Sequence, residues 1–434
     1  MDLRSLPPGL TPFERVEERR ARVERECGID LGYLSMLPEN VGSADEKNCE
    51  QMVGAVPVPV GYAGPLTVAF SSGDTQALHL PLATTEGALV ASVNRGCKAI
   101  GTVKTHSIYH GVSRSIAFKD ASSAHGALHR KAKWIRLAST EQEWKSVGES
   151  TSQHLKILSY DTDEEGDTLF LTIHADTDEA MGMNMVTIAA EAIGQWIAEH
   201  LDLPFVTVAG NVDSDKKPSR RTHDRGRGYE VTAEAVLDAA AIADVLKTTP
   251  DAMLRTAEAK LQHGSKIAGA IGSNLHAANV IAALYLATGQ DAAHVVEGSL
   301  ADTHITLLPM PKQDSQKLHV STRIPALLVG VRGGGAELPA QRQCLTLLLG
   351  QTRASPAFFA RGKSSLKPVT VPLSPLAQKS CRASGRAFHE HALHPCARLA
   401  ESIAAAVLAG EVSLLAALSS HHLAKAHTHF ARIS

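Results

Sequence analysis

The stretch A-T-T-E-G-A-L-V-A-S-V-N-R-G-C-K, residues Ala83–Lys98, organises this chain. Thr84 and Thr85 are residue types that cap helix N-termini, and Glu86 follows at once. A helix starting near Glu86 would carry a carboxylate in its first turn. It would set Arg95 and Lys98, three apart, on one face further along. An acid at one end and two cations at the other suit a ligand with a reacting carbonyl and, some distance away, phosphates. The plain alternative is a Glu86 that only complements the helix dipole, with two solvated cations. Ahead of it, residues 53–66 alternate β-branched residues with proline and glycine, which favours extended backbone over helix.

At 434 residues and 46.0 kDa the chain has room for two or three domains with a real core. A net charge of −2 argues against general nucleic-acid binding. The apolar stretches are interrupted, one by Asn274, His276 and Asn279 and another by Glu411, so neither reads as a membrane span. Met1-Asp2-Leu3-Arg4 has no signal-peptide core. The cysteines, Cys27, Cys49, Cys97, Cys344, Cys381 and Cys396, lack metal-type spacing and read as free thiols in a reducing, cytoplasmic compartment. The histidines form no H-E-x-x-H frame, and no metal is expected.

Thr11-Pro12 opens a charged surface helix that runs to Cys27 and stops at Gly28. Ser115–Lys119, Leu155–Tyr160, Thr168–His174 and Phe205–Val208 read as strands, with a helix over Val186–His200, giving a compact α+β unit. From Thr232 helices are expected to dominate: Ala233–Lys247, then Pro250–Gln262 capped by Thr249, then 276–288 and 399–418. Residues 351–396, rich in Pro, Ser, Lys and Arg, read as a long basic loop.

Five segments carry candidate chemistry. E-A-M-G-M-N-M, Glu179–Met185, joins a glycine to soft methionine walls at a helix start, suited to a flat ring and to negative charge; it equally fits a glycine turn with core methionines. Gly333-Gly334-Gly335 is a ligand-hugging loop or a hinge. In G-N-V-D-S-D-K-K-P, Gly210–Pro218, a lysine beside an aspartate offers a fixed cation for a developing oxyanion, or a Schiff-base amine if buried; an exposed charged loop is the plain alternative. Asp291 in Gly289-Gln290-Asp291 ends a helix; near Glu86 it would let one of two carboxyls hold a proton. In H-H-L-A-K-A-H-T-H-F, His422, Lys425 and His427 lie on a helix end, where a tuned imidazole can protonate a leaving group.

Together these segments resemble the 3-hydroxy-3-methylglutaryl-CoA reductase (HMG-CoA reductase) family from about Cys49 to His427, in the family's order. The match includes P-V-P-V-G-Y-A-G-P-L, A-T-T-E-G-A-L-V-A-S-V-N-R-G-C-K-A-I, A-M-G-M-N-M, D-K-K-P, H-A-A-N, G-Q-D-A-A, G-G-G and H-L-A-K-A-H. The A-M-G-M-N-M and D-K-K-P forms look like the biosynthetic class. The resemblance implies an α+β fold with a helical N-terminal region (1–52) and a helix-rich large substrate domain (53–114 and 218–434). It implies an inserted ferredoxin-like cofactor domain (115–209) and a connecting catalytic loop (210–217). The implied reaction reduces HMG-CoA to mevalonate and free CoA by two hydride transfers from NADPH.

Carried over by motif, Lys216 stabilises the carbonyl oxygen, Glu86 supplies its proton, Asp291 tunes both, and His427 protonates the CoA thiolate. Asn94, Arg95, Lys98 and Lys247 match positions that hold CoA. Arg114, Asp215, Lys217, Lys260, His276 and Asn279 match the hydroxymethylglutaryl pocket. Ser152, Gln153, Glu179, Met181, Gly182, Met183, Asn184, Gly333, Gly334 and Gly335 match the cofactor site. The family's active site forms across a homodimer interface, with no nucleic acid and no membrane as partner. The chain departs from the family at Ala209, which replaces a serine, at Glu179, which replaces an aspartate, and in the length of the basic loop. Gln153 stands where an arginine would bind the 2′-phosphate of NADPH; nearby Lys156 lacks the planar fork of arginine, so NADH remains possible. The alternatives are an NAD-dependent oxidative enzyme that degrades mevalonate and a non-catalytic CoA-binding homologue.

Overall fold

The computed structural model describes residues 3, 5–10, 12–34, 44–49, 56–119, 126–308, 316–350 and 393–420. His422, Lys425, His427, Cys381 and nearly all of the expected basic loop lie outside the described residues. The first helix, α1 (Pro12–Cys27), ends where expected, at Gly28 in the left-handed conformation.

β1 (Val60–Ala69) and β2 (Thr75–Ala83) pair antiparallel across the turn S-S-G-D. β2 buries Leu78, Leu80 and Leu82 at period two. α2 (Leu89–Ala99) begins three residues after Glu86, not at it. The Thr84 hydroxyl accepts the Glu86 amide at 2.9 Å, which closes a local turn in competition with helix, and Ala88 then enters the helix in a left-handed conformation. Glu86 therefore stands on a loop ahead of the helix.

β3 (Val103–Lys119) is longer than the expected strand and crosses the expected boundary at residue 115 without a break. Its first half pairs with β1, and its second half forms a second antiparallel layer. That layer follows through α3 (Gly126–Ser139), α4 (Glu141–Glu149), β4 (Lys156–Glu165), β5 (Thr168–Asp176), α5 (Met183–Leu201) and β6 (Phe205–Thr207). The strands lie in the order β4–β5–β3–β6. Ile116, Phe118, Leu169, Leu171 and Ile173 meet Trp144 of α4 and Val186, Ile193 and Ile197 of α5 in one core.

After α6 (Arg220–Arg225) the chain enters β7 (Arg227–Asp238). This corrects the helix expected over Ala233–Lys247: only its second half is helical, and Lys247 ends it in a left-handed conformation. Alanine and glutamate favour helix, but Tyr229, Val231, Ala233, Ala235 and Leu237 also alternate, and they are buried. Hydrogen-bonding partners on both flanks, β3 and the later β9, decide for strand. α7 (Pro250–Ala257) follows with Thr249 as its cap, as expected, then α8 (Ala277–Thr288), α9 (Val295–Gly298), β8 (Asp302–Leu308), β9 (Lys317–Leu327), α10 (Pro339–Leu349) and α11 (Pro395–Ser419).

The larger unit is thus built on a mixed sheet, order β2–β1–β3–β7–β9–β8, and is less helical than its sequence suggests. α11 runs through its core, with Ile403, Val407, Leu408, Val412 and Leu415 fully buried. By length and composition α11 could cross a membrane, yet it is mostly buried inside the fold. Its two glutamates are satisfied there. Glu401 accepts from Ser71, Thr105 and Ser107, and Glu411 from the Leu275 and His276 amides and Thr303.

Candidate active site

Lys216 sits in a loop whose turns need several left-handed residues: Asn211, Ser214 and Lys216 itself, at φ 58°. Such a conformation persists only where surroundings hold it. Here the Lys216 amide donates to Glu297 Oε1 at 2.7 Å, and its ammonium meets Asp291 Oδ2 at 2.7 Å. Asp291 follows the left-handed Gly289 that ends α8, and it caps the next turn by accepting the Ala293 amide at 3.0 Å. Burial pushes the Asp291 carboxyl up. The hydrogen bonds from Lys216 and Ala293 and the charges of His294 and Lys216 outweigh it and hold the group below its ordinary value.

Behind this pair lies a buried network that the sequence reading missed. The Arg227 guanidinium donates to Asp215 Oδ1 at 3.1 Å, Glu297 Oε1 at 2.8 Å and the Ser113 hydroxyl at 2.9 Å. Arg114 pairs with Asp213 at 3.4 Å and approaches Asp215 at 3.6 Å. Burial drives the Asp213 carboxyl upward, whereas for Asp215 the neighbouring cations, chiefly Arg227, overcome burial and lower it. Asp215, His294 and Glu297 bring potential metal-ligand atoms within 4.8 Å of one another. Arg227, bonded to both carboxylates, already supplies the positive charge that a cation would bring there. A signal for the network was present: Asp291, His294 and Glu297 recur every three residues. Arg227 had only its place between two glycines.

Next to this cluster the two glycine segments pack together. Ala180 bridges Arg332, the Glu179 carbonyl accepts the Val331 and Arg332 amides, and the Glu179 carboxylate pairs with the Arg332 guanidinium. A side chain on Gly330 would strike the Met181 amide, and one on Gly335 would strike the Gly289 carbonyl. The Gly330 amide also donates to Gln290 at 2.9 Å. The cradle 179–184, the loop 330–335 and the turn bearing Asp291 are therefore one assembly. Gly182 caps α5 at φ 84°, which sets the positive end of a 19-residue helix at the cradle. The expected 2′-phosphate segment adjoins it: His154 pairs with Asp178 at 2.9 Å, and Ser152 accepts the His154 amide. Gln153 and Lys156 are exposed.

Glu86 lies elsewhere. Its carboxylate accepts from the Asn279 amide group at 2.6 Å, in the first turn of α8. His276 gives its backbone amide to Glu411 and buries an Nε2 that has no hydrogen-bond partner among the described residues. Asn94 accepts the Gly64 amide. Arg95, expected to share one helix face with Lys98, bonds the hydroxyl and carbonyl of Ser413 on α11, and burial lowers its pKa. Lys98, Lys217, Lys247 and Lys260 are exposed. Asn279 and the C-terminal end of α8 are separated by about 14 Å of helix. One chain thus joins Lys216 to Asp291 and Glu86 to Asn279, at opposite ends of α8.

An ammonium fixed to a carboxylate beside a glycine cradle suits carbonyl reduction, and comparison with known proteins agrees. A profile of the hydroxymethylglutaryl-coenzyme A reductase family matches residues 15–432. The chain belongs to this family. Among its relatives is the HMG-CoA reductase of Methanocaldococcus jannaschii, 35% identical, with 96% of this chain and 92% of the relative aligned. That of Haloferax volcanii is 36% identical over the same shares, 96% and 92%. The HMG-CoA reductase 1 of Dictyostelium discoideum is 34% identical, over 96% of this chain and 68% of its own length. A class II reductase from Streptococcus pneumoniae, solved with NADPH, shares the fold at TM-score 0.64 and 17% identity, covering 94% of this chain and 98% of that one.

Proposed function

We propose that this HMG-CoA reductase family member reduces HMG-CoA to mevalonate and free CoA, drawing two hydrides in turn from NADPH. The observation that carries the proposal is the Lys216 ammonium, 2.7 Å from Asp291 and adjoining the glycine cradle. A nicotinamide bound there would supply hydride for reduction of the thioester carbon and then of the aldehyde carbon. Glu179–Asn184 and Gly333–Gly335 would hold it, since Gly333 and Gly334 leave open space where a side chain would stand. Ser152 and Gln153 would face its adenine end.

Lys216 stabilises the oxygen as it gains charge; one such donor is worth about 10²–10³ in rate. Asp291 holds the Lys216 ammonium in place. Glu86 gives the oxygen its proton, and His427 protonates the departing thiolate. Because Glu86 and Lys216 sit at opposite ends of α8, we assign a complete site to two copies: Glu86, His276 and Asn279 from one, Lys216 and Asp291 from the other. Arg114, Asp215 and Lys217 line the substrate end near Lys216, while Asn94, Arg95, Lys98, Lys247 and Lys260 belong to the CoA side. The strand order β4–β5–β3–β6 with α3–α5 on it supports an inserted ferredoxin-like cofactor unit, 115–209.

The test is nicotinamide oxidation by the purified protein with HMG-CoA, run with each cofactor. Lys216→Ala should lower turnover by about 10²–10³ or more while the fold stays intact. Near-normal turnover of that variant would remove Lys216 from the mechanism. Tight HMG-CoA binding without any oxidation would leave a non-catalytic homologue. The exposed Gln153 favours a second reading, oxidation of mevalonate with NAD; a large NADH preference would support it.

A further inference from the structure

His294 lies at the centre of the network behind Lys216 and is fully buried. Its Nδ1 is 3.2 Å from Glu297 Oε1. Its Nε2 faces Asp291 Oδ2 at 3.8 Å and Asp215 Oδ1 at 3.9 Å, and it has no hydrogen-bond partner among the described residues. Both ring nitrogens thus look at carboxylate oxygens. A neutral imidazole has one N–H and would turn a lone pair on one of these acids; an imidazolium has two N–H groups.

The surrounding charge leads to the same result. Three carboxyls, Asp215, Asp291 and Glu297, face the ring or share its contacts. The cations near them among the described residues are Arg227, bonded to Asp215 and Glu297, Lys216, bonded to Asp291, and Arg114, 3.6 Å from Asp215. Asp213, the next acid, lies 3.4 Å from Arg114 and 3.7 Å from Arg227 and belongs to the same group. Tyr285, packed nearby from α8, is pushed upward by burial and by the Glu297 charge and stays neutral. With all four carboxyls ionised, Asp213, Asp215, Asp291 and Glu297 outnumber the three cations by one, and a buried charge left unbalanced is costly.

We propose that His294 is a positioning residue, held as an imidazolium between Glu297 and Asp291, that keeps Asp291 anionic and so aims the Lys216 ammonium. The role in turnover rests on the proposed reduction; the protonation state does not. Nitrogen-15 NMR of the histidine-labelled wild-type protein at pH 7, with the His294 signal assigned by its loss in H294Q, should show two protonated ring nitrogens. A neutral ring would overturn the proposal, whatever reaction the protein catalyses. If H294Q does not fold, H294N serves for the assignment.

In turnover, H294Q should lose roughly 10- to 100-fold in kcat, the scale of a displaced reacting group, with KM for HMG-CoA within about twofold. The pH at which kcat falls on the alkaline side should also move. An unchanged kcat and pH profile would remove His294 from the positioning of Lys216.

Discussion

Asp291 gives the site a pH dependence whose sign follows from its surroundings. Its folded value lies below the ordinary carboxylate value of about 4 because Lys216 and the Ala293 amide outweigh burial. A group lowered on folding adds stability above its unfolded value and loses it as pH falls through the folded one. The stability gap between wild type and Asp291→Asn should therefore be level from about pH 8 to 5 and close below about pH 4. Urea unfolding at a series of pH values checks this, and a gap that widens in acid would be the wrong sign. The thiols behave oppositely. Burial pushes Cys97, Cys344 and Cys396 up to about 12, whereas Cys49 is exposed. The thiolate is the reactive form, so iodoacetamide on the native protein at neutral pH should modify Cys49 and spare those three. Site-by-site mass spectrometry reads the outcome; early labelling of Cys97 would contradict its burial.

At the scale of elements, the contact between α2 and α11 turns on Gly96. A side-chain carbon there would lie 1.9 Å from the Ala409 carbonyl, which is backbone and cannot swing aside. Gly96→Ala should push the helices apart and cost about 1–3 kcal/mol as an overpacked core position. It should also disturb the Arg95–Ser413 bond across the same seam. A melting temperature equal to wild type would show that the helices can separate freely. The same helices show what was legible locally. Thr249-Pro250 and Gly28 mark the ends of their helices because caps and stops act within a few residues. The second half of β7, from Ala233, reads as helix because its Ala and Glu composition favours helix, while the partners that make it a strand are far away in sequence. α2 was placed three residues early because the Thr84 hydroxyl serves a turn ahead of the helix.

Across the whole molecule, the candidate site is split. Lys216 and Asp291 stand past one end of α8 and Glu86 stands near the other. If two copies complete each other, Glu86→Gln and Lys216→Ala should each be nearly inactive alone. Random exchange then makes half of the dimers hybrid, each with one intact site, and recovers about a quarter of wild-type activity. No recovery after verified exchange would place both residues in a site made by one chain.

By itself the sequence determined the local chemistry: the family, the glycine turns, most helix ends and the side chains available to react. These follow from residue types and spacings that act within a turn or two of chain. Tertiary structure decided the rest. It made β7 a strand and drew the 179–184 and 330–335 segments onto Asp291. It also committed Arg95 to α11 and buried Arg227, His294 and Glu297 behind Lys216. Each of those outcomes depends on backbone partners or countercharges brought from far along the chain, and spacing in one dimension carries no record of them.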